Sequence, residues 1–244
     1  MTDLKAAAVI PARYGSTRFP GKALAEIDGV PMIVRVVEQV KKTKEIDRVI
    51  TATDDLRIKK AVEAAGGEAV ITSSEHRSGT DRIAEAAENL TADLIVNVQG
   101  DEPLIKSEMI ASALAPFLKE EDLQMSTLKI KMNRNEAENP DIVKVICDKN
   151  DNALYFSRSP IPYPRDEEVD YFQHVGLYVY RRDFLLKYSK MEASPLEKAE
   201  SLEQLRALEN GYRIKVIEIE GKLIGVDRKE DIKKVEAVLR DRAK

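Results

Sequence analysis

Through the first half of this chain, short apolar runs of strand length alternate with segments whose apolar positions recur at helical spacing. That pattern predicts a parallel sheet with crossover helices. Residues 5–10 read as the first strand, and Met32, Ile33, Val36, Val37 and Val40 fall on one helical face. Residues 47–53 read as the next strand, 56–65 as a helix and 69–71 as a short third strand. A helix over 80–89, a fully apolar strand over 94–99 and a helical segment over 109–118 close this part.

From about residue 124 the pattern changes to alternating strand-like pieces, MSTLKIK, IVKVI, ALYFS and VGLYVY, with DKNDN (148–152) as a hairpin turn. His174, Gly176, Tyr178 and Tyr180 share one face of the last of these strands, and Val175, Leu177 and Val179 the other. The Pro-rich, acidic stretch 160–171 is the best candidate for a mobile loop. Leu196, Ala199, Leu202, Leu205 and Leu208 put an apolar stripe on one late helix ending at Asn210 and Gly211, and a final helix spans 229–242. The expected fold class is α/β over a single domain, 1–244: a mostly parallel Rossmann-like sheet with helices on both faces and a small mixed or antiparallel extension over 124–180.

Composition narrows the function classes. A length of 244 residues with 43% hydrophobic content builds an ample core, and a single cysteine, Cys147, excludes an internal disulfide and suits the cytosol. No apolar stretch is long enough to span a membrane. A net charge of -4 argues against general nucleic-acid binding, so an anionic ligand has to be met by local cations.

Those cations occur together in IPARYGSTRFPGK, residues 10–22, directly after the first strand and thus at the ligand-binding edge of an open α/β sheet. Arg13, Arg18 and Lys22 would face phosphate oxygens there. The segment matches neither common phosphate motif. Gly15 and Gly21 are too far apart for a dinucleotide fingerprint, and Ala23 after Lys22 lacks the hydroxyl of a Walker A loop. The alternative is a surface turn with solvated cations.

Other segments carry chemistry by the same placement. In SSEHRSGTDR (73–82) the backbone amides gather at a helix start, where a nucleotide edge fits; equally, Ser78 or Thr80 reads as an N-cap with Asp81 favouring the dipole. His76 reads as an ordinary loop histidine. VNVQGDEP (96–103) ends an apolar strand in carboxylates, making Asp101 either a ligand for Mg²⁺ or a turn residue before Pro103. Asp227 in LIGVDRKED is a second carboxylate of this kind, or the N-cap of the last helix. Arg158, after a strand and before a rigid proline segment, suits capture of a carboxylate. Glu203 and Gln204 could hydrogen-bond hydroxyls.

Together these segments resemble the 3-deoxy-manno-octulosonate (Kdo) cytidylyltransferases. The resemblance runs almost end to end, through PARYGSTRFPGK, HRSGTDR, VNVQGDEP, YFSRSPIP, HVGLYVYR, SPLEKAESLEQLRALENG and GVDRKED. The first motif is shared with other sugar nucleotidyltransferases, including those for sialic acid; the combination is more specific. Arg228-Lys229 stand where the family commonly has Thr-Pro, while Asp227 is retained. The resemblance implies a nucleotidyltransferase sheet and transfer of CMP from CTP to Kdo for lipopolysaccharide assembly, in the cytoplasm, by a homodimer. It implies that Arg13 and Lys22 neutralise the triphosphate, and that Asp101 and Asp227 hold Mg²⁺. Pro11, Ala12, Arg77, Ser78 and Gln99 would meet the nucleotide. Arg158 would hold the sugar carboxylate, and His174, Glu203 and Gln204 the hydroxyls.

Overall fold

The computed structural model describes residues 4–15, 19–76, 78–165, 168–221 and 224–242. Arg18 and Arg77, and Asp166 and Glu167 of the Pro-rich stretch, lie outside the described residues. The chain forms two compact units, one from Asp3–Ala111 with Leu223–Lys244, the other from Ser112–Lys222.

In the first unit β1 (Ala6–Ala12) is followed by a small hairpin, β2 (Glu26–Ile27) and β3 (Val30–Pro31), and by helix α1 (Met32–Val40). The five apolar residues expected on the inner face of α1 are all buried. Then come β4 (Arg48–Thr53), α2 (Leu56–Ala64), β5 (Glu68–Ile71), α3 (Gly79–Glu88) and β6 (Leu94–Asn97). β1 pairs in parallel with β4 and β6, and β4 with β5, so the strands run β6-β1-β4-β5. β1 is the centre of this set and is buried nearly throughout, which is why its sequence is continuously apolar. Helix α4 (Ser107–Leu114) leads toward the second unit, and a 3₁₀ turn (Ala115–Leu118) takes the rest of the segment expected as helix; Pro116 sits within that turn.

The second unit is built on β7 (Met125–Met132), which precedes the short α5 (Arg134–Ala137), β8 (Lys144–Cys147) and β9 (Ala153–Ser157). β10 (Tyr171–Arg181), α6 (Arg182–Tyr188), α7 (Pro195–Glu200), α8 (Gln204–Glu209) and β11 (Ile214–Glu218) follow. β10 pairs antiparallel with β7, β8 with β9, and β11 runs parallel to β7. The 148–152 turn closes the β8–β9 hairpin as expected, with Asp148 Oδ1 accepting from the backbone of Asn150 and Asn152. The expected single late helix is instead two short ones, α7 and α8, because Ser201 caps α7 in the left-handed region at φ 53°. Arg206 on α8 grips Glu197 on α7 through Nε at 2.7 Å and Nη2 at 2.5 Å, a pair nine positions apart that a continuous helix would hold well out of reach.

The chain returns to the first unit with α9 (Asp231–Arg242). Val226 and Val235 pack there with Ile27, Met32 and Leu104 in one apolar cluster. α9 begins at Asp231, four residues beyond Asp227, and the Asp231 carboxylate accepts from the backbone N–H of Asp227 and Arg228 just ahead of the helix.

On β10 the rings of His174, Tyr178 and Tyr180 contact one another in sequence, at 5.4 and 5.8 Å between centroids, as the alternation predicts. Between Val175 and Tyr178 the register with β7 shifts. Thr127 Oγ1 lies 3.0 and 2.8 Å from the carbonyl oxygens of Val175 and Leu177 and donates to this bulge, so that its oxygen accepts from His174 Nε2 at 3.0 Å. Burial lowers the His174 pKa to about 3, holding the ring neutral. The unfolded chain, with an ordinary histidine near 6.5, binds a proton that the folded chain refuses. His174 thus costs stability as pH falls from 6.5 toward 3, by up to about 1.4 kcal/mol per pH unit. We expect His174→Gln to flatten this acid limb in denaturant unfolding measured across the pH range. An unchanged slope would contradict a neutral buried imidazole.

Candidate active site

The functional pocket of the first unit forms where β1 and β6 end. Pro11 and Ala12 close β1, and Arg13 follows them at the rim. Gly100 allows the segment after β6 to approach: a Cβ there would lie 2.8 Å from the carbonyl oxygen of Pro11. Gln99 is turned back on Asn97, its Nε2 donating to Oδ1 at 2.9 Å. Lys22 begins a 3₁₀ turn (Lys22–Leu24), which directs its side chain across the pocket. The cavity measures about 290 Å³ and is lined by Pro11, Ala12, Arg13, Lys22, Ser78, Gln99, Asp101 and Asp227 among others. Residues from four distant stretches of sequence thus reach one place.

Charge organises the floor. Lys22 Nζ lies 2.5 Å from Asp101 Oδ2 and 3.9 Å from Asp227 Oδ1, so one ammonium bridges two carboxylates. Asp227 is brought there by the hydrogen bond from Val226 N–H to the Asp101 carbonyl, at 2.9 Å. Behind them Glu102 places Oε2 in a buried position with no hydrogen-bond partner among the described residues. Burial, then the charges of Asp101 and Asp227, push its pKa up to about 8, against the opposing effect of Lys22. Asp101 and Asp227 are oxygen donors of the kind a small hard cation takes, and the Lys22 ammonium marks where positive charge is stabilised between them. No group of three or more His, Cys, Asp or Glu side chains among the described residues could hold a metal ion. The pair fits an ion that draws its remaining ligands from phosphate and water.

The opposite wall comes from the start of α3. Ser78 is the N-cap: its hydroxyl accepts from Asp81 N–H at 3.1 Å, and Asp81 accepts from Ser78 N–H at 3.2 Å. The capping reading of this segment is correct, and Ser78 lines the pocket as well. His76 also lines it, and it is not an ordinary loop histidine: its Nε2 is bonded to Glu85. Arg82 was not singled out by sequence, yet it is buried at the pocket with Nη2 on Asp54 Oδ2 at 2.8 Å and Nη1 on Thr72 Oγ1 at 2.5 Å. Its place in α3, one turn beyond Ser78, was the available signal.

The other candidates lie in the second unit. Arg158 donates from Nε to the Glu200 carbonyl at 2.9 Å and from Nη1 to the Pro140 carbonyl at 3.0 Å, and its Nη2 makes no hydrogen bond among the described residues. His174 is committed through Nε2 to Thr127. Gln204 is buried, and its Nε2 has no hydrogen-bond partner among the described residues. Glu203 accepts from Tyr188 Oη through its backbone carbonyl at 2.6 Å, and its carboxylate faces Arg206 at 3.9 Å.

The cytidylyltransferase family profile matches residues 7–218. The 3-deoxy-manno-octulosonate cytidylyltransferase of Fusobacterium nucleatum subsp. nucleatum is 54% identical, across 95% of this chain and 96% of the relative. That of Trichlorobacter lovleyi is 52% identical, across 93% of this chain and 95% of the relative. A solved CMP:2-keto-3-deoxy-manno-octonic acid synthetase complexed with CTP superposes with a TM-score of 0.95 at 44% identity, covering 98% of this chain and 99% of that one. The 4-diphosphocytidyl-2C-methyl-D-erythritol synthase of Anaerococcus prevotii, at 18% identity and a TM-score of 0.65, shares the α/β fold. With a parallel sheet whose edge gathers cations and paired carboxylates, and with half of its residues identical to such relatives across nearly its whole length, the chain belongs to the cytidylyltransferase family, among the 3-deoxy-manno-octulosonate cytidylyltransferases.

Proposed function

We propose that this chain transfers CMP from CTP to Kdo, releasing pyrophosphate, with Mg²⁺ as its metal. The observation that carries this reading is the convergence of Arg13, Lys22, Asp101 and Asp227 on one pocket. The relatives named for Kdo, at 54% and 52% identity, favour that sugar over sialic acid. Assembly as a homodimer in the cytoplasm, for lipopolysaccharide synthesis, belongs to the same reading on the strength of the resemblance. No helix among the described residues is long and apolar enough to cross a membrane.

The reaction brings together two anions that repel each other. A sugar hydroxyl attacks the α-phosphorus in line and gives up its proton to solvent, the bond to the bridging oxygen breaks, and pyrophosphate leaves with its electron pair. The protein must align the two and stabilise charge spreading over phosphate oxygens. Arg13 and Lys22 supply fixed positive charge for the triphosphate. Lys22 is held by Asp101 in the free protein, so the incoming phosphates compete with that carboxylate for its ammonium. Asp101 and Asp227 would hold Mg²⁺. When bound, the ion supplies positive charge to phosphate oxygens and lowers the pKa of a coordinated hydroxyl. Pro11, Ala12, Ser78 and Gln99 supply the nucleotide wall, to which the reading adds Arg77. Arg158 through Nη2, with Gln204, His174 and Glu203, would take the sugar carboxylate and hydroxyls; the unpartnered buried Nε2 of Gln204 supports a polar ligand there.

Pyrophosphate release from CTP and Mg²⁺, assayed in parallel with Kdo, sialic acid and no sugar, tests the reaction. We expect release with Kdo alone; release with sialic acid alone would overturn the sugar. Asp101→Asn is expected to lower turnover about 10²- to 10³-fold while the far-ultraviolet circular dichroism stays that of the parent. Ordinary turnover in that variant would remove Asp101 from the metal site. Arg158→Ala is expected to raise KM for Kdo about tenfold or more with little change in KM for CTP. Equal changes in both would take Arg158 out of the sugar pocket.

A further inference from the structure

The phosphate-facing loop is closed by a side-chain stack that takes no part in the chemistry. Gly21 donates its N–H to the Tyr14 carbonyl at 3.0 Å, joining the two ends of the loop between Arg13 and Lys22. Gly21 has φ 70°, and a Cβ on it would lie 3.3 Å from the Tyr14 ring, so the ring packs directly over the glycine. On Tyr14 sits Arg57, with its guanidinium carbon 3.4 Å from the ring centroid. Arg57 is itself held: Nε donates to Asp55 Oδ1 at 2.9 Å and Nη2 to Oδ2 at 2.6 Å. Asp55 is the N-cap of α2, accepting from Arg57 N–H at 2.8 Å.

We propose that Tyr14 and Arg57 are positioning residues for the triphosphate, a clasp that ties the Arg13–Lys22 loop to the first turn of α2. The chain of contacts is continuous, from the α2 cap through Asp55, Arg57 and Tyr14 to Gly21, and the next residue is Lys22, whose ammonium reaches the Asp101 carboxylate. Nε and Nη2 of Arg57 are held by Asp55, which fixes its guanidinium as the outer plate of the stack. The ring of Tyr14 is the working part, since it touches both Gly21 and Arg57. Opening the clasp leaves Arg13 and Lys22 intact but lets their separation vary, so the ordering cost is met when CTP binds.

This inference rests on the reading of the pocket as a CTP site, and the test separates the two. CTP binding is measured by titration calorimetry on the full chain without sugar for Tyr14→Phe, Tyr14→Leu, Arg57→Ala, the Tyr14→Leu/Arg57→Ala double variant and Lys22→Ala. We expect Tyr14→Leu and Arg57→Ala each to raise Kd about fivefold, as loss of one cation–π contact allows, and the double variant to be no weaker than either single one. Tyr14→Phe retains the parent Kd because it keeps the ring. In steady state, KM for CTP rises while kcat and KM for Kdo hold, which general destabilisation would not produce. If Lys22→Ala binds CTP as the parent does, the pocket reading and the clasp both fall. If Lys22→Ala weakens binding but Tyr14→Leu and Arg57→Ala do not, or their effects multiply in the double variant, the clasp alone is overturned.

Discussion

One ammonium group holds the site in order. Lys22 spans Asp101 and Asp227, two like charges that come from well-separated stretches of the chain and repel each other. A third carboxyl, Glu102, is buried beside them, and burial first, then the charges of Asp101 and Asp227, raise its pKa to about 8. Compensation is therefore supplied by the protein itself before any ligand arrives. A cation held between two carboxylates is also readily exchanged, because polyphosphate competes for the ammonium while a divalent ion satisfies the carboxylates.

The fold serves that arrangement through close approach. Gly100 lets the Asp101 segment press against the end of β1, and the bond from Val226 to the Asp101 carbonyl draws the last segment in beside it. Val226 and Val235 then bury that segment among Ile27, Met32 and Leu104, so the position of Asp227 is set by an apolar cluster rather than by its own charge. Asp227 is more than half exposed, which leaves it accessible to an ion even while its backbone is fixed.

Much of the first unit was legible because its parallel strands are buried on both faces and its helices bury a single stripe; β1, α1, β4, α2 and β6 fall within two residues of their expected limits. The pocket residues were legible for a related reason, since polar residues directly after buried strands must lie at the sheet edge. Side-chain pairing across distance was not. Nothing in the spacing of Lys22 and Asp101, seventy-nine positions apart, announces a 2.5 Å contact. Lys144, within the IVKVI piece, is buried, donating to the carbonyls of Asn139, Ile142 and Arg158, and no spacing signals that. The break at Ser201 was hidden because no Gly or Pro marks it; the folded-back pair Arg206–Glu197 holds α7 against α8. His76 reads as an ordinary loop histidine because its partner, Glu85, lies nine residues later on the helix.

The most direct test of Lys22 as the exchangeable cation is a crystal structure of the chain with CTP and Mg²⁺. We expect the ion to be ligated by Asp101 and Asp227, with Lys22 Nζ moved off Asp101 and onto a phosphate oxygen. Lys22 still paired with Asp101, and the ion bound away from both carboxylates, would contradict the central role given to this interaction.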